Sequence, residues 1–344
     1  MVNQVYDIIA LGETLLRLTP PHLERLDQSA GFDVQVGGCE SNTLSAMARL
    51  GLNCAWLSRL PENALGDRVR QVLRQHNVDV QHVSPGGDDR LGLYFYEPGR
   101  APHRSQVIYD RADSVMARMQ PSDLPTELFQ PGRARLFHTS GITLGLSASV
   151  SDTVQQALQL AREAGIPCSL DVNYRQRLWS PQRARLCLEP LLGQLELLLV
   201  AERDIEKLWP DAWDAHSHEQ TLRRFQRWAP NCVLVMTRGS AGAALLTPSG
   251  ELYQADAFSA QEVERLGAVM PLPPVFSAPG WRENLMPKRC ARGRRWRHSN
   301  MQRRGILPGL TAVSWIACWP TPQRRGCVAS QGGGIKRLHD RPVT

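Results

Sequence analysis

No stretch of this 344-residue chain approaches the ~18 consecutive apolar residues that a membrane-spanning helix needs. The segment from Met1 to Ile9 lacks the basic start and long apolar run of a secretory signal. Cysteine is present at Cys39, Cys54, Cys168, Cys187, Cys232, Cys290, Cys318 and Cys327, but without a CxxC pair or any metal-ligand spacing. Such scattered thiols fit a reducing compartment better than a disulfide framework. Internal repeats and low-complexity segments are also missing. These absences predict a cytoplasmic protein with no membrane partner.

Acidic residues are scarce in one region only. Residues 280–344 carry 14 Lys+Arg against 2 Asp+Glu, whereas residues 1–279 carry 26 against 31. The formal net charge of +7 therefore comes from the last segment, where Trp, Pro and Arg crowd together without periodicity. A basic balance normally points to nucleic acid, but the rest of the chain is mildly acidic. The tail's Arg292–Arg297 cluster could contact phosphates as a basic arm. It shows no helical face and no useful aromatic spacing, so no nucleic-acid partner is expected.

What remains is ordinary for a globular protein. The hydrophobic fraction of 42% is ample for a core, and the length suits one large α/β domain with a small appendage. Val5–Leu11 is a short apolar run ending at Gly12, a good buried strand. Leu15–Thr19 with Phe32–Val36, and Arg90–Tyr96 with Gln106–Asp110, alternate apolar and polar residues as half-buried strands do. Helical spacing appears over Asn42–Leu50 and Gly66–His76, with a strand at Cys54–Ser58 between them. Later segments alternate: strand Leu136–Ser140, helix Ser149–Ala164, strand Pro167–Val172, helix Pro181–Leu192 and strand Leu195–Val200. Helices at Glu202–Leu208 and Thr221–Trp228 precede strands at Cys232–Thr237 and Gly242–Thr247. This rhythm predicts a parallel sheet covered on both faces. The two alternating pairs predict a small antiparallel sheet that lies over a site as a lid.

Four segments have the residue types for ligand chemistry. Gly37-Gly38-Cys39-Glu40-Ser41-Asn42 sits where a strand yields to a helix. Paired glycines allow close approach of a ligand to backbone, and the helix start offers N–H groups. Asn42 could donate to and accept from sugar hydroxyls; the alternative is a tight turn with Asn42 as cap. Asp171-Val172-Asn173-Tyr174-Arg175 follows a buried strand, where open parallel sheets bind ligands. Asn173 and Arg175 there could hold a carboxylate or phosphate, or simply form a capped turn. Tyr94, Tyr109 and Arg111 on the lid suit a polar anionic substrate, or are core aromatics with a solvated arginine. Thr237-Arg238-Gly239-Ser240-Ala241-Gly242 could bring backbone N–H groups and a hydroxyl to phosphates, or be an ordinary hairpin turn.

Taken together and in this order, residues 5 to about 268 resemble the ribokinase-like (PfkB) carbohydrate kinases, and within them the 2-keto-3-deoxygluconate kinases. The resemblance is carried by Ala10-Leu11-Gly12-Glu13, by Gly37-Gly38-x-x-x-Asn42, and by Gly51-Leu52 with Leu60-Pro61-Glu62-Asn63-Ala64-Leu65-Gly66. It continues through Leu93-Tyr94-Phe95-Tyr96-Glu97-Pro98-Gly99, Tyr109-Asp110-Arg111-Ala112, His138-Thr139-Ser140-Gly141-Ile142-Thr143 and Asp171-Val172-Asn173-Tyr174-Arg175 with Leu178-Trp179-Ser180-Pro181. It implies a ribokinase-like three-layer α/β/α sandwich with a small β-sheet lid, from about 13–36 and 90–112. It also implies transfer of the ATP γ-phosphoryl group, with Mg²⁺, to a sugar hydroxyl. By the matching positions, Gly37, Gly38, Asn42, Tyr94, Tyr109, Arg111 and Arg175 would hold a sugar acid. Asn173, Thr237, Gly239 and Gly242 would line the nucleotide. The family's Asn-x-x-Glu near the metal is represented by Ala201-Glu202-Arg203-Asp204, leaving Asp204 as the metal-side carboxylate. Fructokinases and 5-keto-2-deoxygluconokinases are the neighbouring alternatives, as is a sugar-acid binder without turnover. Family members often pair through the lid, which makes a homo-oligomer an expectation.

The departure at the end is larger. The family's second signature ends Gly-Ala-Gly-Asp at a helix start, where the Asp takes the proton from the attacking hydroxyl. Here Leu266-Gly267-Ala268 is followed by Val269-Met270-Pro271. Methionine accepts no proton, and Pro271, Pro273 and Pro274 stop a helix from continuing. Restoring one guanine after the Ala268 codon lets the stretch from Val269 to Trp281 be re-read with permitted codons, behind the unchanged Gly267-Ala268. It becomes Gly-Ala-Gly-Asp-Ala-Phe-Ala-Ala-Gly-Phe-Leu-Ser-Ala-Arg-Leu. Arg297 to Ile306 similarly re-reads as Ala-Phe-Lys-Tyr-Ala-Thr-Pro-Gly-Asp, which resembles the segment bordering the family's adenine pocket. The expectation is a frameshift, a kinase domain over 1–268, and an out-of-frame tail over 269–344, disordered or poorly packed. With no intact catalytic residue, the chain as written is expected to be inactive or nearly so.

Overall fold

The computed structural model describes residues 4–99 and 104–257, together with the backbone of residues 336–337. The expected loss of the catalytic aspartate at Met270, and the character of the tail, lie outside the described residues. Two compact units are present, Met1–Ile166 and Pro167–Thr344.

The first unit runs β1 (Ile8–Leu11), β2 (Leu15–Thr19), β3 (Asp33–Gly37), α1 (Cys39–Arg49), β4 (Cys54–Leu60), α2 (Ala64–Gln75), β5 (Val78–Asp79), β6 (Val83–Pro85), β7 (Leu93–Glu97), β8 (Gln106–Asp110), β9 (Phe137–Ser140), α3 (Gly141–Leu144) and α4 (Ala148–Glu163). Its larger sheet has the order β9-β1-β4-β5, with β6 also on β4, and every pairing is parallel. All four residues of β1 are buried. A strand with neighbours on both edges and cover on both faces has no polar side to show, so it reads as an unbroken apolar run. α1 packs on β1, β4 and β9, α2 on β5, and α4 on β9.

The smaller sheet has the order β3-β2-β7-β8. Its pairs β2–β3 and β7–β8 are antiparallel, as the alternation predicts, but β2 and β7 are parallel. The lid is thus mixed rather than antiparallel throughout. The chain leaves the lid for the larger sheet between β3 and β7, and a strand re-entering after such an excursion can do so in either sense.

The second unit runs β10 (Cys168–Asp171), α5 (Pro181–Leu192), β11 (Leu197–Ala201), α6 (Glu202–Leu208), α7 (His218–Phe225), β12 (Val233–Thr237), β13 (Ala243–Leu246) and β14 (Leu252–Ala255). β10, β11 and β12 are parallel, as expected. β13 and β14 are antiparallel, and Lys336–Arg337 pairs antiparallel with β14. The strand expected at Gly242–Thr247 thus follows the hairpin alternative for the turn before it and not the parallel rhythm of the strands that precede it. Only residues 238–242 connect it to β12, and a parallel crossover needs a dozen or more. α7 begins earlier than its apolar spacing suggests because the Ser217 side chain accepts from the Gln220 N–H. β5, β6, α3 and β14 are too short to show a period, and sequence reading missed them.

Candidate functional site

In the first unit, β3 ends at Gly37 and Gly38 is the N-cap of α1, with an extended backbone. A Cβ on Gly38 would lie 2.3 Å from the Glu13 carbonyl, 2.8 Å from Thr14 Oγ1 and 2.9 Å from Ser41 Oγ. The space a side chain would need at Gly38 is thus filled by the chain itself. At Gly37 a Cβ would meet only the Tyr94 hydroxyl, at 3.1 Å. Side-chain caps close α2, α4, α5 and α7, through Asn63, Ser147, Ser180 and Ser217, but no side chain caps α1. Asn42 is not the cap. It lies one turn inside the helix, its N–H donating to the Gly38 carbonyl at 3.0 Å, and its side chain is half-buried.

One face of the lid gathers aromatic and cationic groups. Tyr94 on β7 and Tyr109 on β8 are directly opposed, their ring centroids 5.8 Å apart. Arg17 is register-paired with Tyr94, is buried, and stands 4.6 Å over the Tyr96 ring. Arg111 follows β8 with its guanidinium 5.8 Å from the Tyr109 ring centroid. Neither core aromatics nor a solvated arginine describes this group, because Tyr109 is 41% exposed while the Arg111 side chain is only 12% exposed. Arg111 donates from Nη2 to Glu13 Oε2, and Ser114 donates to Glu13 Oε1. Arg111 Nε is buried and has no acceptor among the described residues.

Glu40, in the first turn of α1, is buried beneath the Gly-Gly segment. Its Oε1 accepts from Ser140 at 2.5 Å and from Thr143 at 2.9 Å. Its Oε2 occupies the place where a Gly12 side chain would stand. Burial raises its pKa above the ordinary carboxylate value, against the hydroxyl bonds that pull it down.

The remaining predicted residues lie in the second unit. Asn173 takes a left-handed backbone (φ 37°), which Asn tolerates. The next N–H, of Tyr174, donates to Asp204 Oδ2 at 3.1 Å, and the Tyr174 hydroxyl donates to the Trp179 carbonyl at 3.1 Å. Arg175 is half-buried, and its carbonyl accepts from the Leu178 N–H at 2.9 Å. Thr237 ends β12, and the following turn closes on itself. Arg238 N–H donates to the Gly242 carbonyl, Ala241 N–H to Arg238, and Gly242 N–H to Gly239. Gly242 (φ 85°) must be glycine, since a Cβ would meet the Ala255 carbonyl at 2.0 Å. Three N–H groups of this turn are therefore spent within it, as in a hairpin.

Asp204 is buried, and burial raises its pKa; Arg203 Nε stands 3.6 Å from Oδ1. No group of three or more His, Cys, Asp or Glu residues able to hold a metal occurs among the described residues. A magnesium ion bound mainly by phosphates and water needs only one or two carboxylates, and Asp204 can supply one.

Sequence reading did not single out Glu13, Glu40, Ser114 and Arg17, which the structure brings against the candidate residues or the helix that carries them. Glu40 did leave a signal. Glu40, Leu44, Met47 and Ala48 share one helix face, so a carboxylate stands on the stripe that is buried.

Residues 6–268 match the pfkB family of carbohydrate kinases. The 2-dehydro-3-deoxygalactonokinase of Haloferax volcanii is 38% identical over 261 residues, spanning 76% of this chain and 80% of that protein. The 2-dehydro-3-deoxygluconokinase of Thermoproteus tenax is 28% identical over 250 residues, spanning 72% and 74%. Among solved structures, the 2-dehydro-3-deoxygluconokinase of Thermotoga maritima aligns with a TM-score of 0.64 at 30% identity, covering 73% of this chain and 75% of that one. The fold is thus the ribokinase-like α/β/α sandwich with a small β-sheet lid.

Proposed function

Because the chain belongs to the pfkB family of carbohydrate kinases, we propose that its sugar site takes a 2-keto-3-deoxy sugar acid, 2-keto-3-deoxygluconate or its galactonate epimer. The observation that carries this is Arg111. A neutral sugar gives no reason to hold a largely buried guanidinium beside two opposed tyrosines, whereas a carboxylate does. The activities of these two relatives, a 2-dehydro-3-deoxygalactonokinase and a 2-dehydro-3-deoxygluconokinase, support the same class.

The sugar acid is assigned to Gly37, Gly38, Asn42, Tyr94, Tyr109 and Arg111 of the first unit. Arg111 would orient the carboxylate, the tyrosine pair would pack against the carbon chain, and Asn42 would read a hydroxyl. Arg175 keeps the sugar-acid role that family resemblance gives it. Asn173, Thr237, Gly239 and Gly242 keep the nucleotide role, with ATP as phosphoryl donor and Asp204 beside Mg²⁺. When bound, ATP and Mg²⁺ supply the transferable phosphoryl group and the charge that neutralises it.

The proton must leave the attacking hydroxyl, and that task falls to the residue at position 270. Methionine there cannot take it. The chain as written is therefore assigned sugar-acid binding with at most trace turnover, and its tail over 269–344 to a slipped reading frame. The exposed apolar side chains Ile108 and Phe32 on the lid support a homo-oligomer that pairs there.

Titration calorimetry with the two sugar acids and with fructose tests the binding reading. Micromolar to low-millimolar binding of a sugar acid and none of fructose supports it. Preference for fructose overturns it. Substrate-dependent release of ADP separates a kinase from a binder.

A further inference from the structure

The Gly12-Glu13 pair directly follows β1. The Glu13 side chain is only 2% exposed, and both carboxylate oxygens are used. Oε2 takes Arg111 Nη2 and Oε1 takes the Ser114 hydroxyl. Both donors belong to the segment that leaves the lid after β8. Arg90 pins the same segment from the other side, donating to the carbonyls of Asp110 at 3.0 Å and Ala112 at 3.1 Å. At Gly92 a Cβ would meet Leu15 Cδ2 at 2.4 Å, Glu13 Oε1 at 3.1 Å and Arg111 Cβ at 3.4 Å, so the carboxylate and the arginine stem are tightly packed around it.

A buried arginine kept only for stability would spend its planar fork on the carboxylate it already has, through two parallel bonds. Arg111 does not. Glu13 takes Nη2 alone, on Oε2, while its second oxygen accepts from Ser114. Nε is left buried without an acceptor among the described residues.

We propose that Glu13, held in turn by Ser114, is a positioning residue that fixes Arg111 so that the exposed part of its guanidinium meets the carboxylate of the bound sugar acid. This rests on the sugar-acid reading of the site. Ser114 sets the Glu13 carboxylate, the carboxylate sets one edge of the guanidinium, and the other edge meets the ligand.

The test is calorimetric titration of the full chain and of E13A, E13Q and S114A with 2-keto-3-deoxygluconate, alongside melting of the unliganded proteins. E13A should bind the acid about tenfold or more weakly, the worth of one charge-assisted bond. E13Q retains an acceptor for Arg111 and a partner for Ser114, and should stay within about threefold of wild type. S114A should fall between them. S114A also keeps the test open if E13A fails to fold. Wild-type affinity in both E13A and S114A would overturn the proposal. So would equal weakening in E13Q and E13A that follows their loss of melting temperature. No binding of the acid by the wild-type chain would overturn the sugar-acid reading itself, and this proposal with it.

Discussion

Ser140 donates its hydroxyl to Oε1 of Glu40 at 2.5 Å across 100 residues of sequence, joining the end of β9 to the first turn of α1. Thr143 adds a second bond at 2.9 Å to the same oxygen. The helix that follows the glycine pair is thereby anchored from below by a buried carboxylate.

That carboxylate makes stability depend on pH in a defined sense. Its folded pKa is raised above the ordinary 4.5. The stabilisation it gives is therefore complete below that value and is lost as pH rises through the folded pKa. E40Q, which keeps the acceptor but cannot ionise, should melt higher than wild type at about pH 8 and equal to it near pH 4. E40A leaves two buried hydroxyls unpaired and should lose about 2 kcal/mol near pH 4, and less at about pH 8, where the wild-type carboxylate is itself penalised by burial. His138, whose pKa burial lowers to about 4, destabilises both proteins as pH falls from 6.5 toward that value, so it cancels from the comparison. A lower melting point for E40Q at high pH would contradict the burial account.

Substituting Gly38 by alanine forces a methyl group to within 2.3 Å of the Glu13 carbonyl, a backbone atom with little freedom to yield. G38A should lose about 1–3 kcal/mol of stability in denaturant unfolding, and sugar-acid affinity with it. Gly193, where a Cβ would meet nothing within 4 Å, is the control. G193A should be neutral or stabilising by about 0.5 kcal/mol.

Much of this was legible in the sequence, and the gaps have physical causes. β2, β8, α5 and α6 run as their apolar spacing predicts, because each shows a clear period or a serine or proline start. β13 could be seen as a strand, but its direction depends on the length of the turn before it. The Gly-Gly and Tyr-Arg segments stood out as candidate ligand-binding elements. Glu13 and Ser114 did not, because their meaning lies in a contact between residues 101 apart. No local pattern encodes such a contact.

Arg111 is assigned a planar two-sided task, which a lysine cannot perform. R111K should lower sugar-acid affinity by about tenfold or more in calorimetry, although the charge is kept. Y94F, which removes only the hydroxyl near Gly37, should cost less than about tenfold. Unchanged binding in R111K would remove Arg111 from the site.

If the lid mediates pairing, sedimentation should find a dimer that I108E converts to monomer, since Ile108 is 45% exposed on the lid strand β8. A wild-type monomer at micromolar concentration would end that reading.

The most direct measurement is ADP release driven by 2-keto-3-deoxygluconate, compared between the chain as written and one translated with a guanine restored after codon 268. The first should give no more than trace turnover and the second should phosphorylate the sugar acid at a rate on the order of 1–10³ s⁻¹. Rapid turnover by the chain as written, or none by the restored one, would contradict the account.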